Sequence, residues 1–278
     1  MPIKLYKHNR HARKNSSIVD RSPLHRGKPL KSLTQGARVI SGRGSEGKIT
    51  VRHRGGGVKR KLRLVDFHQN KFGIPAKVER IEFDPNRSAW LALVVYKDGE
   101  RRYHLAWQGS KAGDEFVTDE KALEKPGNRM KLANITPGLK IFNTEIKPGR
   151  GGQMLRAAGV SAIMMDVKGR YAQLKMPSGE IRLIDKECYA TIGEASNEDK
   201  WLERVGSAGR NRRRGWRPQV RGKVMNPVDH PHGGGEGAQP IGMTHPKTPW
   251  GKPALGVKTR RRGKYSNSLI IKRREKRK

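Results

Sequence analysis

The chain has 278 residues, 33% of them hydrophobic and 31% charged, which is length for one or two domains and excludes a core running through the whole chain. Its formal charge is +36, from 61 Lys and Arg against 25 Asp and Glu. That excess makes nucleic acid the first partner to consider and an anionic membrane the second. The single cysteine, Cys188, excludes an intrachain disulfide and a cysteine-based zinc knuckle, and no apolar run approaches the ~18 residues of a transmembrane helix.

Residues 1–60 form a basic N-terminal extension, with 16 Lys and Arg against 2 acids. MPIKLYKHNRHARK has no apolar stretch to serve as a secretory signal and too few apolar residues for an amphipathic transit helix. GRGSEGK, Gly42 to Lys48, fails the spacing of a dinucleotide fingerprint. RHRGGGVKRKLR, Arg52 to Arg63, sets a triple glycine among cations. Glycines let backbone N–H groups approach a phosphate, and Arg52, Arg54, Lys59 and Arg60 add charge-assisted bonds. No Gly-Lys-Ser/Thr closes the motif, so it is not a P-loop. The competing reading is a flexible linker.

Residues 61–125 are expected to form a small antiparallel barrel. Lys61–Asp66 and Ala76–Phe83 alternate, and Trp90–Tyr96 is an almost unbroken apolar run that fits a buried strand. DPNRS makes a turn, KDGE a tight hairpin, and Arg102–Trp107 the next strand. Residues 126–200 are expected to form a second barrel, with strands at Met130–Ile135, Lys140–Ile146, Ala162–Val167, Tyr171–Met176, Ile181–Asp185 and Ala190–Ile192. Its KPGRGGQMLRAAG loop, with Arg150 and Arg156, reads equally as an anion cradle or an ordinary hairpin loop. A short helical turn is expected near Gln153–Ala158, and a helix over Ser196–Val205 with acids in its first turn. Residues 61–200 are close to charge balance, with 24 cations and 19 acids.

Residues 201–278 form a second basic, glycine-rich extension, with 21 cations and 4 acids. Neither extension is apolar enough to fold alone, so both are expected to become ordered on a polyanion. GRNRRRGWRPQVRGK contributes Arg212, Arg213, Arg214, Arg217 and Arg221 as phosphate ligands and Trp216 as a stacking surface. In the last 21 residues, Leu269–Ile271 is an apolar insert suited to one strand or to an RNA groove.

NPVDHPHGGGEG, Asn226 to Gly237, holds Asp229, His230, His232 and Glu236, residue types that a metal-assisted hydrolase would use. No further ligand cluster or nucleophile accompanies them, and a glycine-rich loop fixes ligands poorly. The stronger reading is a loop that inserts into a structured partner, with Asp229, His230 and His232 against RNA. An RNA-binding chaperone is the alternative function.

RHRGGGVKRKLRLVDF, FDPNRSAWLALVVYKDGERRY, IKPGRGGQMLRAAG, MPSGEIR, ATIGE and VRGKVMNPVDHPHGGGEG together resemble the bacterial-type large-subunit ribosomal protein uL2 (L2) family, from about Lys28 to the C-terminus. The resemblance implies a mainly β chain: an OB-fold barrel, then an SH3-like barrel, flanked by long basic extensions. It implies binding to 23S-type ribosomal RNA beside neighbouring ribosomal proteins, in a bacterial cytoplasmic or an organellar ribosome. It further implies contact with the small subunit at an intersubunit bridge and support of the peptidyl transferase region, tRNA binding and peptide bond formation. It implies no enzyme activity of its own, no cofactor or metal, and no membrane. Family RNA-contacting arginines match Arg87 and Arg156. A third basic family position near DFHQN is occupied here by Gln69, and the family histidine near the peptidyl transferase centre matches His230.

Overall fold

A computed structural model describes residues 3–7, 13–37, 41–237 and 239–275. Parts of the basic stretch 1–14 and of the basic C-terminus lie outside them. The strands in chain order are β1 (Ile3–Leu5), β2 (Ser17–Val19), β3 (Thr34–Gly36), β4 (Lys61–Arg63), β5 (Ala76–Glu82), β6 (Leu91–Tyr96), β7 (Arg101–Leu105) and β8 (Glu115–Phe116). They continue as β9 (Arg129–Lys131), β10 (Lys140–Phe142), β11 (Ala162–Lys168), β12 (Tyr171–Lys175), β13 (Ile181–Asp185), β14 (Tyr189–Ile192) and β15 (Ile270–Lys272). One short helix, α1 (Ala208–Arg213), joins several 3-10 turns. The chain is therefore mainly β, with curled sheets, as the resemblance implies.

Two compact units divide the chain. One comprises Met1–Arg38, Lys59–Ser207 and Ser268–Lys278; the other comprises Val39–Val58 and Ala208–Asn267.

In the larger unit, the first barrel is the antiparallel sheet β7-β6-β5-β8. Its centre is β6, where Leu91, Ala92, Leu93 and Val94 are all buried, so both faces of the strand are covered. Its neighbour β5 alternates, with Ala76 and Val78 inward, until a bulge between Val78 and Arg80 turns the strand. KDGE closes the β6–β7 hairpin: the Tyr96 N–H donates to Glu100 O at 2.9 Å. β4 pairs with β3, and Val65 then bridges Tyr103 in parallel sense, bringing that segment alongside β7.

The second barrel is the antiparallel sheet β15-β13-β12-β11-β10-β14-β9. Met130, Leu132, Ile141, Phe142, Met164, Leu174 and Ile192 fill it. The apolar insert Leu269–Ile271 overlaps the edge strand β15, Ile270–Lys272, antiparallel to β13. The two barrels share a core, stitched by the Trp107–Ala195 bridge and by the Ser196 N–H donating to Ala106 O at 3.0 Å.

Several expected elements are shorter or different. The strand expected over Lys61–Asp66 stops at Arg63, and that over Lys140–Ile146 stops at Phe142 because Asn143 takes φ 49°. The strand expected at Met130–Ile135 gives way to a 3-10 turn at Leu132–Asn134. Gln153–Ala158 is not helical, and Leu155 sits at φ 56°. The helix expected over Ser196–Val205 is only a 3-10 turn, Glu198–Leu202. Its N-cap, Asn197, adopts φ 65° and gives its side-chain amide to Ser88 O instead of capping.

The smaller unit is built differently. Among its described residues no hydrophobic side chain is buried, and His230 and Ser266 are its buried polar side chains. Backbone pairing and aromatic–cation contacts hold it instead.

Candidate nucleic-acid interface

On the larger unit, Phe67 follows the Val65 bridge and gathers cations from both barrels. The Arg87 guanidinium, from the turn after β5, lies 5.7 Å from the Phe67 ring centroid. The Arg156 guanidinium, from the loop after β10, lies 4.5 Å from it. Arginine over an aromatic face is an attractive, pre-ordered arrangement. Arg87 is fixed further by Asp84, fully buried, whose Oδ2 accepts from Arg87 Nε at 2.7 Å. Arg63 approaches the other Asp84 oxygen at 3.6 Å. Arg150 and Arg156 line an open cleft with Phe67 and His68. Gln69 is 3% exposed at φ 51°, so its side chain supplies no surface contact.

The KPGRGG loop is an anion cradle that is already filled, and the anion is Glu145. Glu145 Oε1 accepts from the Gly151 N–H at 3.1 Å, and Oε2 from the Gly149 N–H at 3.1 Å and the Tyr189 N–H at 3.2 Å. Arg129, fully buried, donates to Glu145 Oε1 at 3.1 Å and to Asn143 O at 2.7 Å. Burial pulls the Arg129 guanidinium down from its ordinary pKa, and the Glu145 carboxylate opposes that pull. The Gly149 and Gly151 amides are therefore already occupied from within the chain. The Gly152 N–H donates across to Phe67 O at 2.8 Å, which seats the loop against the first barrel.

On the smaller unit, the two arginine-glycine motifs zip together. Arg54 and Trp216 form an antiparallel bridge, and the Arg54 guanidinium stacks 3.5 Å over the Trp216 ring. The Gly55 N–H donates to Gly215 O and the Val58 N–H to Arg213 O, each at 3.0 Å. A Cβ on Gly57 would lie 3.0 Å from the Gly215 Cα, so a side chain there would press the two backbones apart by a few tenths of an ångström. The Arg217 N–H donates to His53 O at 3.0 Å, and Arg212 donates to Gly55 O at 3.4 Å. Arg52 lies 5.3 Å over the Trp250 ring. Arg213, Arg214, Arg221 and Trp216 are exposed; on the larger unit, Lys59 is exposed and Arg60, half-buried, donates to Pro85 O at 2.9 Å.

NPVDHPHGGGEG folds on itself. The Asp229 N–H donates to Asn226 O at 3.0 Å, the Gly233 N–H to His230 O at 2.8 Å, and the Gly234 N–H to Met225 O at 3.2 Å. His230 is buried, its Nδ1 accepting the His232 N–H at 3.0 Å. His232 Nε2 accepts the Lys247 N–H at 2.7 Å, and the two rings lie 4.7 Å apart. One lone pair of each histidine is thus engaged by backbone, which places the proton of neutral His230 on Nε2 and of neutral His232 on Nδ1. Burial, then His232 and Arg52, push the His230 imidazole below the usual histidine pKa. Asp229 stays exposed. Among the described residues no group of three or more His, Cys, Asp or Glu is placed to hold a metal.

Two family models match the chain. Residues 30–118 match Ribosomal Proteins L2, RNA binding N-terminal domain, and residues 125–251 match Ribosomal Proteins L2, C-terminal domain. The chain belongs to the uL2 family of ribosomal proteins. It is 50% identical over 274 residues to the large ribosomal subunit protein uL2 of Dinoroseobacter shibae, covering 99% of this chain and 98% of that one. As a uL2-family chain it is a ribosomal component, and among its described residues no helix is long and apolar enough to cross a membrane. The N-terminal RNA-binding match spans Phe67 and Arg87, the C-terminal match spans Arg156, Trp216 and the histidine loop, and the arginine stack on Phe67 joins the two. Sequence reasoning missed Phe67, Glu145, Arg129 and Trp250. Only Asp84, three residues before Arg87, left a readable signal of its role.

Proposed function

We propose that this chain is a structural constituent of the large ribosomal subunit that binds 23S-type ribosomal RNA directly and performs no catalysis itself. The observation that carries the reading is the convergence of Arg87 and Arg156, one from each barrel, on the single ring of Phe67. Two guanidiniums pre-ordered on one platform match adjacent phosphates of a folded RNA, and their ordering entropy is spent before binding. The basic segments around Arg52, Arg54, Lys59, Arg60 and Arg212, Arg213, Arg214, Arg217 and Arg221 add the electrostatic contribution, and Trp216 adds stacking. Arg150 adds a further cation beside Arg156 in the same cleft.

The same reading extends to neighbouring ribosomal proteins, to subunit association at an intersubunit bridge, and to the peptidyl transferase region. There the chain supports tRNA binding and peptide bond formation by positioning RNA. Asp229 is exposed on the histidine loop, as is Glu236, and His230 and His232 act from within it by fixing its shape. The test is binding of the full chain to a large-subunit rRNA fragment in moderate salt. Each charge-assisted contact contributes about 1.5–3 kcal/mol, so Arg87→Ala with Arg156→Ala weakens binding by at least about a hundredfold. Unchanged affinity overturns the assignment of the two arginines. A chain that leaves the large-subunit peak after a high-salt wash overturns the ribosomal role.

A further inference from the structure

We infer that the smaller unit holds a pocket for one unstacked nucleotide of single-stranded or bulged RNA. The inference rests on the RNA-binding reading above and names the form of RNA that this unit selects.

The pocket is an open cavity of about 620 Å³ with a lining of two kinds. Its cationic part is Arg43, Arg52, Arg54 and Arg217, beside Gly55. Its apolar part is Ile49 and Val51, which are 60% and 52% exposed. These two side chains are held out by a short hairpin: Arg43 bridges Ile49, and the Val51 N–H donates to Gly42 O at 3.0 Å. β-Branched residues exposed in a unit that buries no hydrophobic side chain among its described residues contribute to no core there. Beside a row of arginines they suit a ligand with one apolar face and one anionic group, which is the chemistry of a nucleotide.

Arg54 supplies the second argument. Its guanidinium is in van der Waals contact with Trp216 on one face, 3.5 Å from the ring centroid, and it also lines the cavity. A planar cation backed by an indole is a ready stacking surface for a base. A duplex cannot use it, because its bases are already stacked and paired; a bulged or single-stranded nucleotide can. The phosphate then falls to Arg52 and Arg217, and the base lies between the Arg54 plane and the Ile49–Val51 pair.

The test compares the full chain on two probes: a short single-stranded oligoribonucleotide and a blunt RNA duplex of equal phosphate count. Arg54→Lys retains the charge and removes the plane, and Ile49→Ser with Val51→Ser removes the apolar part of the lining. Each change is expected to weaken single-strand binding about tenfold while duplex binding stays within about twofold, and the oligonucleotide should quench tryptophan fluorescence less in Arg54→Lys than in the parent. Equal losses on both probes, or loss on neither, overturn the nucleotide pocket but leave RNA binding intact. Failure of the unsubstituted chain to bind either probe overturns the RNA-binding reading itself.

Discussion

The Arg129–Glu145 pair offers the sharpest test of how the second barrel holds its RNA-facing loop. Both side chains are essentially excluded from water, at 0% and 3% exposure. Replacing Glu145 by Gln keeps the shape and removes the charge. The amide nitrogen then faces either the Gly149 and Tyr189 N–H groups or the Gly151 N–H and Arg129, so two acceptor positions become donors. Arg129 also loses its buried counter-charge. Breaking one side of a buried ion pair costs about 3–5 kcal/mol. For a unit of this size that is a fall in melting temperature of about 6–20 °C. Urea unfolding followed by circular dichroism measures the loss directly. The double variant Arg129→Met with Glu145→Gln should lose less than the sum of the two single variants, because no unpaired charge stays buried. Trypsin gives a local readout: Arg150 sits in the loop that Glu145 pins, and cleavage after it should accelerate in Glu145→Gln. A single variant that loses under about 1 kcal/mol, or a double variant that is strictly additive, refutes the account of Glu145 as the anion of the loop.

Other expectations follow from buried titratable groups. Burial pushes the Cys188 thiol up to about 12, so a thiol reagent at neutral pH should label it only as the barrels unfold. Burial brings His104 down to about 4, against about 6.5 in the unfolded chain. The unfolded state takes up the proton first, so stability should fall as pH drops from about 6.5 towards 4, and His104→Gln should flatten that part of the profile. A Cβ on Gly222 would lie 2.5 Å from the His230 ring, so Gly222→Ala should displace the imidazole. Proton NMR should then show His230 titrating nearer the ordinary histidine value than in the parent, where it titrates below it.

The parts of the fold legible in the sequence are those where local pattern and tertiary packing agree. Leu91–Tyr96 is apolar on both faces and becomes the central strand, and the Asp98–Gly99 turn closes the hairpin behind it. PSGE between β12 and β13 works the same way, with the Met176 N–H bonded to Glu180 O at 2.9 Å. The illegible parts depend on partners distant in the chain. Ser196 Oγ accepts the Trp90 N–H, 106 residues away, and Asn197 gives its amide to Ser88 O, 109 residues away. Those bonds outweigh acids in a first turn and leave only a 3-10 turn where a helix was expected. The site shows the same division. Both arginine-glycine motifs are conspicuous by composition, but only backbone bridging reveals that they are one structure, with Arg54 on Trp216. KPGRGG reads equally as an anion cradle or a hairpin loop, because Glu145, two residues before it, reveals itself as the occupant only once the chain folds back.

The chain uses two different means of holding arginines. In the barrels, the Phe67 ring under Arg87 and Arg156 is joined by buried or half-buried carboxylates: Asp84 for Arg87 and Arg63, Asp66 for Arg102 at 2.7 Å, Glu145 for Arg129. Of the 25 acids, 19 lie in residues 61–200, where they fix side chains within a folded core. A carboxylate partner orients a guanidinium but cancels part of the field that draws in RNA. In the smaller unit, tryptophans take that part: Trp216 under Arg54 and Trp250 under Arg52. An indole face orders the cation without neutralising it, so the whole charge remains available to phosphate. The barrels thus present a few rigid arginines in fixed register, while the smaller unit presents a denser positive field on a scaffold of backbone pairs and stacked rings. NPVDHPHGGGEG belongs to this second kind of construction. Its histidines are spent on backbone N–H groups that hold the turn, and Asp229 and Glu236 are the charges it turns outward.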